Sequence, residues 1–320
     1  MKREVAPNYL SSIQKSLSIV IVNWNSNHQL RDCIASIGAA RRDGFILSDV
    51  VIVDNNSTDD SLQGVEQLGV PVTIIRNKEN RGFAAACNQG AALATSDFLL
   101  FLNPDTRLFE DSLTNPIDFM QQPSNSGIGI CGIRLVDEEG NASTSAARFP
   151  TLRVMAGKIL GLTKLFPSVF PAHLMTSTDL RESGFVDQVI GAFFLIRKNV
   201  FDRCGGFDER FFVYFEEVDL SLRAKQLGYS SYFLSEVSAF HKGGGSSERV
   251  KSARLFYSLR SRILYAQKHY SWMVFVALVL LTGFELPLRL VQGVLRTSWS
   301  DINNTFAAYT HLVAYFVWRV

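Results

Sequence analysis

Two carboxylates close short apolar runs. Asp54 ends residues 50–53 in VVIVDNNSTDDS, and Asp105 follows residues 98–102 in FLLFLNPDTRL. At position 54 a carboxylate can accept the N–H of a pyrimidine base or a ribose hydroxyl. It can equally form an Asx turn, with Ser57 and Asp59 serving as helix cap and dipole partner. In the second stretch Pro104 fixes the backbone and puts Asn103 and Asp105 on one short turn. A hard divalent cation takes oxygen ligands, keeps several waters and bridges substrate phosphates, so one or two such protein ligands suffice. Glu216, Glu217 and Asp219 cluster in FEEVDLSLRAKQLG at a helix start. Three acids there complement the helix dipole, and Asp219 with Arg223 forms an i,i+4 pair. His241 follows a strand-like run and precedes Gly243, Gly244 and Gly245. By itself it reads as a capped surface residue.

Several chemistries are excluded. After the first apolar run the chain reads Asn23-Trp24-Asn25-Ser26-Asn27, with no GxGxxG to admit a pyrophosphate to the backbone. No GxxxxGK[ST], HExxH or GxSxG occurs, which removes P-loop NTPases, zincins and α/β-hydrolases. Cys33, Cys87, Cys131 and Cys204 lie far apart without a CxxC pair, so neither a zinc ribbon nor a dithiol motif is present. They read as reduced, buried thiols. The first fifteen residues, MKREVAPNYLSSIQK, contain no apolar run of signal-peptide length, and a cytoplasmic chain is expected.

These residues need a scaffold, and the apolar pattern supplies one. Runs at 17–22, 50–53, 72–75 and 98–102 are nearly continuous, which marks strands buried on both faces in a parallel sheet. Helical spacing between them predicts helices over 28–40, 59–68, 83–94 and 110–121, with Ser57 or Thr58 capping the second. The strands end in Asn23, Asp54, Arg76-Asn77 and Asn103-Pro104-Asp105. In open α/β sheets ligands sit beyond the carboxyl ends of the strands, so these endings should line one crevice. Further on, strands are expected at 127–136, 186–196 and 229–239, a variable insertion at 147–179, and a helix within 205–228 that a Gly-Gly-Phe-Asp turn opens.

With 320 residues, 47% hydrophobic and 19% charged, the chain can bury a sizeable core, and a disordered or fibrous protein is excluded. Its net charge of +2 conceals a division. Residues 1–240 hold 22 basic and 27 acidic side chains, residues 241–270 hold 7 and 1, and residues 271–320 hold 3 and 2. The stretch 254–269 reads as a basic amphipathic helix suited to anionic lipid headgroups. The following fourteen residues, 271–284, carry no charge before Glu285, Pro287 and Arg289 intervene. That is short of the roughly 20 residues of a spanning helix. With the aromatic-rich stretch 305–318, the tail is expected to lie on a membrane surface; a true span and a packing face are the alternatives.

The ordered set IVIVNWN, VVIVDNNSTDDS, NKENRGFAAACNQG, FLLFLNPDT, GAFFLIRK, GGFDERFFVYFEEVDLSLRAKQLGY and AFHKGG resembles the inverting GT-A glycosyltransferases of glycosyltransferase family 2, in particular the rhamnosyltransferase-like branch. The likeness spans about residues 17–245 and implies a Rossmann-like, mostly parallel sheet flanked by helices. The expected division is an extension at 1–16, the transferase domain at 17–247 and a helical, membrane-associating tail at 248–320. By resemblance, Val22, Asn23 and Trp24 contact the nucleotide, Asp54 reads the base, and Arg81, Gly82 and Asn88 approach the ribose and diphosphate. Asn103-Pro104-Asp105 stands where the family has its DxD metal motif, with only the last carboxylate kept. His241 becomes the second metal or diphosphate contact, with the glycines after it closing over phosphates, and the cofactor implied is Mg²⁺ or Mn²⁺. The family's Glu-Asp pair is Glu216-Glu217 here, so Glu217 inherits the general base with one methylene more reach; Asp219 is assigned to structure. The expected partners are a dTDP- or UDP-sugar, with L-rhamnose from dTDP-rhamnose the branch's implication, and a glycan or lipid-linked acceptor of cell-surface polysaccharide synthesis. No nucleic-acid partner is expected. The rival is a catalytically silent nucleotide-sugar-binding partner at the membrane.

Overall fold

In the computed structural model of the protein, residues 14–243 and 251–318 are described. Strand β1 (Lys15–Asn23) is buried from Leu17 to its end. Helix α1 (His28–Ala39) buries Leu30, Cys33, Ile34 and Ile37, the i, i+3, i+4, i+7 stripe of an amphipathic helix. After β2 (Phe45–Asp54) and β3 (Val72–Arg76), α2 (Phe83–Leu93) covers the opposite face. Its buried face consists of Ala84, Ala85, Ala86, Cys87, Gly90 and Ala91, small enough for the helix to lie close on Val20 and Val53. With the fully buried β4 (Phe98–Leu102), these strands form the parallel array β3-β2-β1-β4. Side chains alternate across it: Leu17, Ile19 and Ile21 enter the core beneath α1, and Val20 and Val22 enter the one beneath α2.

The chain continues through β5 (Thr106–Leu108), α3 (Thr114–Gln121), β6 (Ile128–Val136), β7 (Ala146–Ala147), α4 (Leu152–Ile159) and α5 (Leu162–Leu165). It then forms β8 (Gly184–Val186), β9 (Gln188–Val189), β10 (Phe193–Arg197), α6 (Lys198–Arg203), α7 (Glu216–Gln226) and β11 (Ser230–His241). The sheet extends as β4-β10-β6-β11-β5, with β10, β5 and the side strand β8 antiparallel to their neighbours. The four cysteines are free, three of them buried.

Three expectations change. Residues 59–68 are turns and a single 3₁₀ turn, not a helix. The Asp59 carboxylate accepts bonds from the Ser61 amide and hydroxyl and from the Asn27 amide, side-chain bonding that competes with helix formation. Ser57 caps nothing; its hydroxyl accepts from Asn23 and from the Asn25 amide. The helix expected over 110–121 begins only at Thr114, because Pro116, which has no N–H, fits a first turn but not an interior. The strand expected over 186–196 is three pieces: β8 pairs with β11, β9 with β7, and β10 with β4 and β6.

Three long helices follow: α8 (Lys251–His269), α9 (Trp272–Leu295) and α10 (Trp299–Trp318). The apolar stretch expected to stop at residue 284 continues, since α9 runs unbroken through Pro287. Glu285 is tolerated because Arg262 Nη1 and Arg289 Nη2 each approach its carboxylate at 2.5 Å. Among the described residues α9 is the one helix long and apolar enough to cross a membrane. The basic face expected of 254–269 does not exist as such. Arg262 is buried against Glu285, Lys268 lies 2.7 Å from both Asp208 and Asp219, and Arg260 sits 4.2 Å over the Tyr315 ring. These cations fasten α8 to the protein. Residues 1–13 and the expected boundary at 247/248 lie outside the described residues.

Candidate active site

The strand order reverses between β1 and β4, and the carboxyl ends of these two strands open into a cavity of about 680 Å³. Register builds its centre. Asp105 immediately precedes β5, His241 ends β11, and the antiparallel pairing sets His241 opposite Thr106. His241 Nε2 consequently lies 3.4 Å from Asp105 Oδ1, and the Lys242 amide donates to the Asp105 carbonyl at 3.2 Å. The expected turn is present, closed by the Thr106 amide donating to the Asn103 carbonyl at 3.1 Å. One carboxylate and one imidazole facing a cavity suit a divalent cation. No third His, Cys, Asp or Glu joins them among the described residues, so water and phosphate oxygens would complete its shell.

The cavity gathers Val22, Trp24, Gly82, Asn103, Asp105 and His241 from the expected set, and leaves Asn23, Asp54, Arg81, Asn88 and Glu217 outside its lining. Asn23 is fully buried, and its amide donates to Asp54 Oδ1, Ser57 and Ser61. The other Asp54 oxygen accepts from the Ser57 amide at 3.1 Å, which is the Asx turn, so Asn23 and Asp54 are not direct cavity contacts. Asn88 is a latch that donates to the Phe207 carbonyl at 2.9 Å and accepts from the Phe207 amide at 2.9 Å. Arg81 is exposed. Gly82 is required: at φ 86°, an added Cβ would lie 2.6 Å from the Phe212 carbonyl oxygen. Gly244 and Gly245 lie outside the described residues; Gly243, at φ 67°, is the last residue described before them.

Glu217 stands in the first turn of α7, just past Tyr214, which lines the cavity. Tyr214 and Phe215 both hold left-handed backbone, at φ 68° and 71°. Such strain costs on the order of 1–3 kcal/mol per residue and is retained only where surrounding structure enforces it. Here α8 enforces it. Tyr257 stacks on Phe212 at 4.4 Å and 11°, and the Ser261 hydroxyl donates to the Val213 carbonyl at 3.0 Å. Oε2 of Glu216 and Oε2 of Glu217 are both buried without a hydrogen-bond partner. Burial pushes both carboxyls above the usual range, and the charge of Glu217 adds to the rise at Glu216. Asp219 is fully buried and structural, held by Arg223, Lys268 and His269 at 2.6–2.7 Å.

Residues missed from the sequence include Asn55, which donates to the Gly82 carbonyl at 3.0 Å, and the α8 pair Arg254 and Tyr257. The i,i+3 spacing of that pair, beginning nine residues after the last of the glycines that follow His241, was the available signal.

Residues 18–205 match the family described as Glycosyl transferase family 2. The chain is 25% identical over 273 residues to an N-acetylglucosaminyl-diphospho-decaprenol L-rhamnosyltransferase of Mycobacterium tuberculosis, covering 80% of this chain and 86% of that protein. It is 28% identical over 174 residues to the rhamnosyltransferase WbbL of Escherichia coli, covering 54% and 62%. Two solved structures share the fold. The mannosyltransferase PcManGT of Pyrobaculum calidifontis, in complex with GDP-Man and Mn²⁺, has a TM-score of 0.55 at 15% identity, covering 94% and 88%. S. aureus TarS 1-349 in complex with UDP-GlcNAc has a TM-score of 0.56 at 14% identity, covering 93% and 81%. A GT-A sheet, a cavity at its strand-order reversal and a family match over more than half of its length make this chain a glycosyltransferase of family 2, of rhamnosyltransferase-like type.

Proposed function

We propose that the protein transfers a sugar, L-rhamnose from dTDP-rhamnose by the likeness to its relatives, to a lipid-linked acceptor with inversion at the anomeric carbon. The observation that carries the proposal is the meeting of Asp105 and His241 inside the crevice. Val22, Trp24 and Asn55 form the side of the cavity that takes the nucleoside, with Asn23 and Asp54 bracing it from behind. Gly82 lets the backbone approach the donor. Asp105 and His241 would hold Mg²⁺ or Mn²⁺, which when bound neutralises charge on the leaving diphosphate. Arg254, from α8, adds a cation to the lining.

Glu217 takes the proton of the acceptor hydroxyl as that oxygen attacks the anomeric carbon and the bond to the diphosphate breaks. A carboxyl raised by burial is a stronger base than a solvated one, which suits this task near neutral pH. The single displacement leaves no covalent enzyme intermediate. The exposed apolar side chains of α9 and α10 support a reading in which the enzyme works at the cytoplasmic face of a membrane, where a lipid-linked acceptor would be met.

A thermal-shift panel of dTDP-, UDP- and GDP-sugars with and without Mn²⁺ tests the donor. A ligand of the folded state raises apparent stability. The dTDP-sugar should give the largest, Mn²⁺-enhanced shift; a larger shift with another nucleotide would replace the donor assignment.

A further inference from the structure

A second cavity, of about 260 Å³, opens where α8, α9 and α10 meet. Lys251 of α8, Arg289 of α9 and Arg296, which caps the end of α9, line it, with Asp301 of α10 the one carboxylate in the lining. Arg289 is aimed rather than loose: its Nε and Nη2 bond Glu285 at 2.8 and 2.5 Å, leaving the Nη1 edge outside that pair. Beneath the cavity Gly293 brings α9 and α10 together, since a Cβ there would lie 2.7 Å from Ile302 Cγ1. The same helices expose Leu295 and Trp299 beside these cations, at 78% and 77%. A soluble anion would gain nothing from those apolar side chains, and a neutral lipid would gain nothing from three cations.

We infer that this cavity binds the headgroup phosphate of an anionic phospholipid, whose hydrocarbon lies along the exposed faces of α9 and α10. The inference rests on the membrane-surface reading above and adds a site to it. Lys251 and Leu255 line this cavity, whereas Arg254 and Tyr257 line the donor cavity. The two sites therefore flank the first turns of α8, about one helix diameter, ~10 Å, apart. A lipid phosphate held here braces the helix that walls the donor site.

Vesicle binding by the full chain tests this. Two doubly substituted proteins lose equal charge at exposed positions: K251Q/R296Q at the cavity and R42Q/K164Q away from it. On phosphatidylcholine vesicles containing phosphatidic acid, K251Q/R296Q should bind at least about 10-fold more weakly than the unsubstituted chain, and R42Q/K164Q within about twofold of it. Equal losses would mean a diffuse field and overturn the site, as would no loss. Unsubstituted protein that binds phosphatidylcholine alone equally tightly would leave the membrane reading standing and overturn the site. Dihexanoyl phosphatidic acid, kept monomeric, should raise the thermal stability of the unsubstituted chain but not that of K251Q/R296Q. Inorganic phosphate doing the same would overturn the lipid assignment. No arm requires sugar transfer, so failure here is separable from failure of the transferase reading.

Discussion

Asp105 and His241 meet because β5 and β11 pair in a register that sets His241 opposite Thr106. Asp105→Asn keeps the shape and removes the charge. Its donor affinity, measured by calorimetry, should no longer respond to Mn²⁺; a retained response would remove Asp105 as a ligand. The position of the crevice was legible in the sequence at Asn103, Asp105 and His241, which line the cavity. Asn23 and Asp54, at strand ends, and Asn88, on α2, bond to neighbours instead of lining it, which residue type alone does not reveal. The Asn23 amide reaches three acceptors, among them the hydroxyl of Ser57, expected to be a helix cap, and that of Ser61, in a segment expected to be helical.

The parallel strands were readable because runs such as Phe98–Leu102 are buried at every position. The course of α9 was not, since its tolerance of Glu285 depends on two arginines, one of them on another helix. Helix α7, which carries Glu217, is tied to α8 through Asp219. Removing that carboxylate takes the ion-pair partner from Arg223 and His269 and leaves Lys268 with Asp208 alone, so Asp219→Ala should lose about 3–5 kcal/mol in urea unfolding. Burial raises the Asp219 carboxyl, but the His269 bond, the Arg223 charge and the Lys268 and Arg223 bonds outweigh it and hold it below the usual range. Its stabilisation is therefore present above the ordinary aspartate range and lost as pH falls through the lowered folded value. Acidification should erode the difference between the unsubstituted protein and Asp219→Ala; a pH-independent difference would contradict the linkage.

Across the whole molecule, the cations within the +6 stretch of residues 241–270 divide: Arg254 lines the donor cavity, Lys268 pairs with Asp208 and Asp219 and ties α8 to the sheet domain, and Arg262 pairs with Glu285 within the tail. The tail also presents Trp272, Trp299 and Trp318, each more than 70% exposed, for the proposed surface binding. Adding vesicles should blue-shift the tryptophan fluorescence; an unchanged spectrum at saturating lipid would contradict surface binding through α9 and α10. In the proposed mechanism the crevice holds a nucleotide sugar while Glu217 deprotonates the acceptor. Measuring donor affinity and sugar transfer side by side for the unsubstituted protein and Glu217→Gln tests it most directly. Affinity should be unchanged while transfer falls by at least about 100-fold; transfer at the unsubstituted rate would contradict the account.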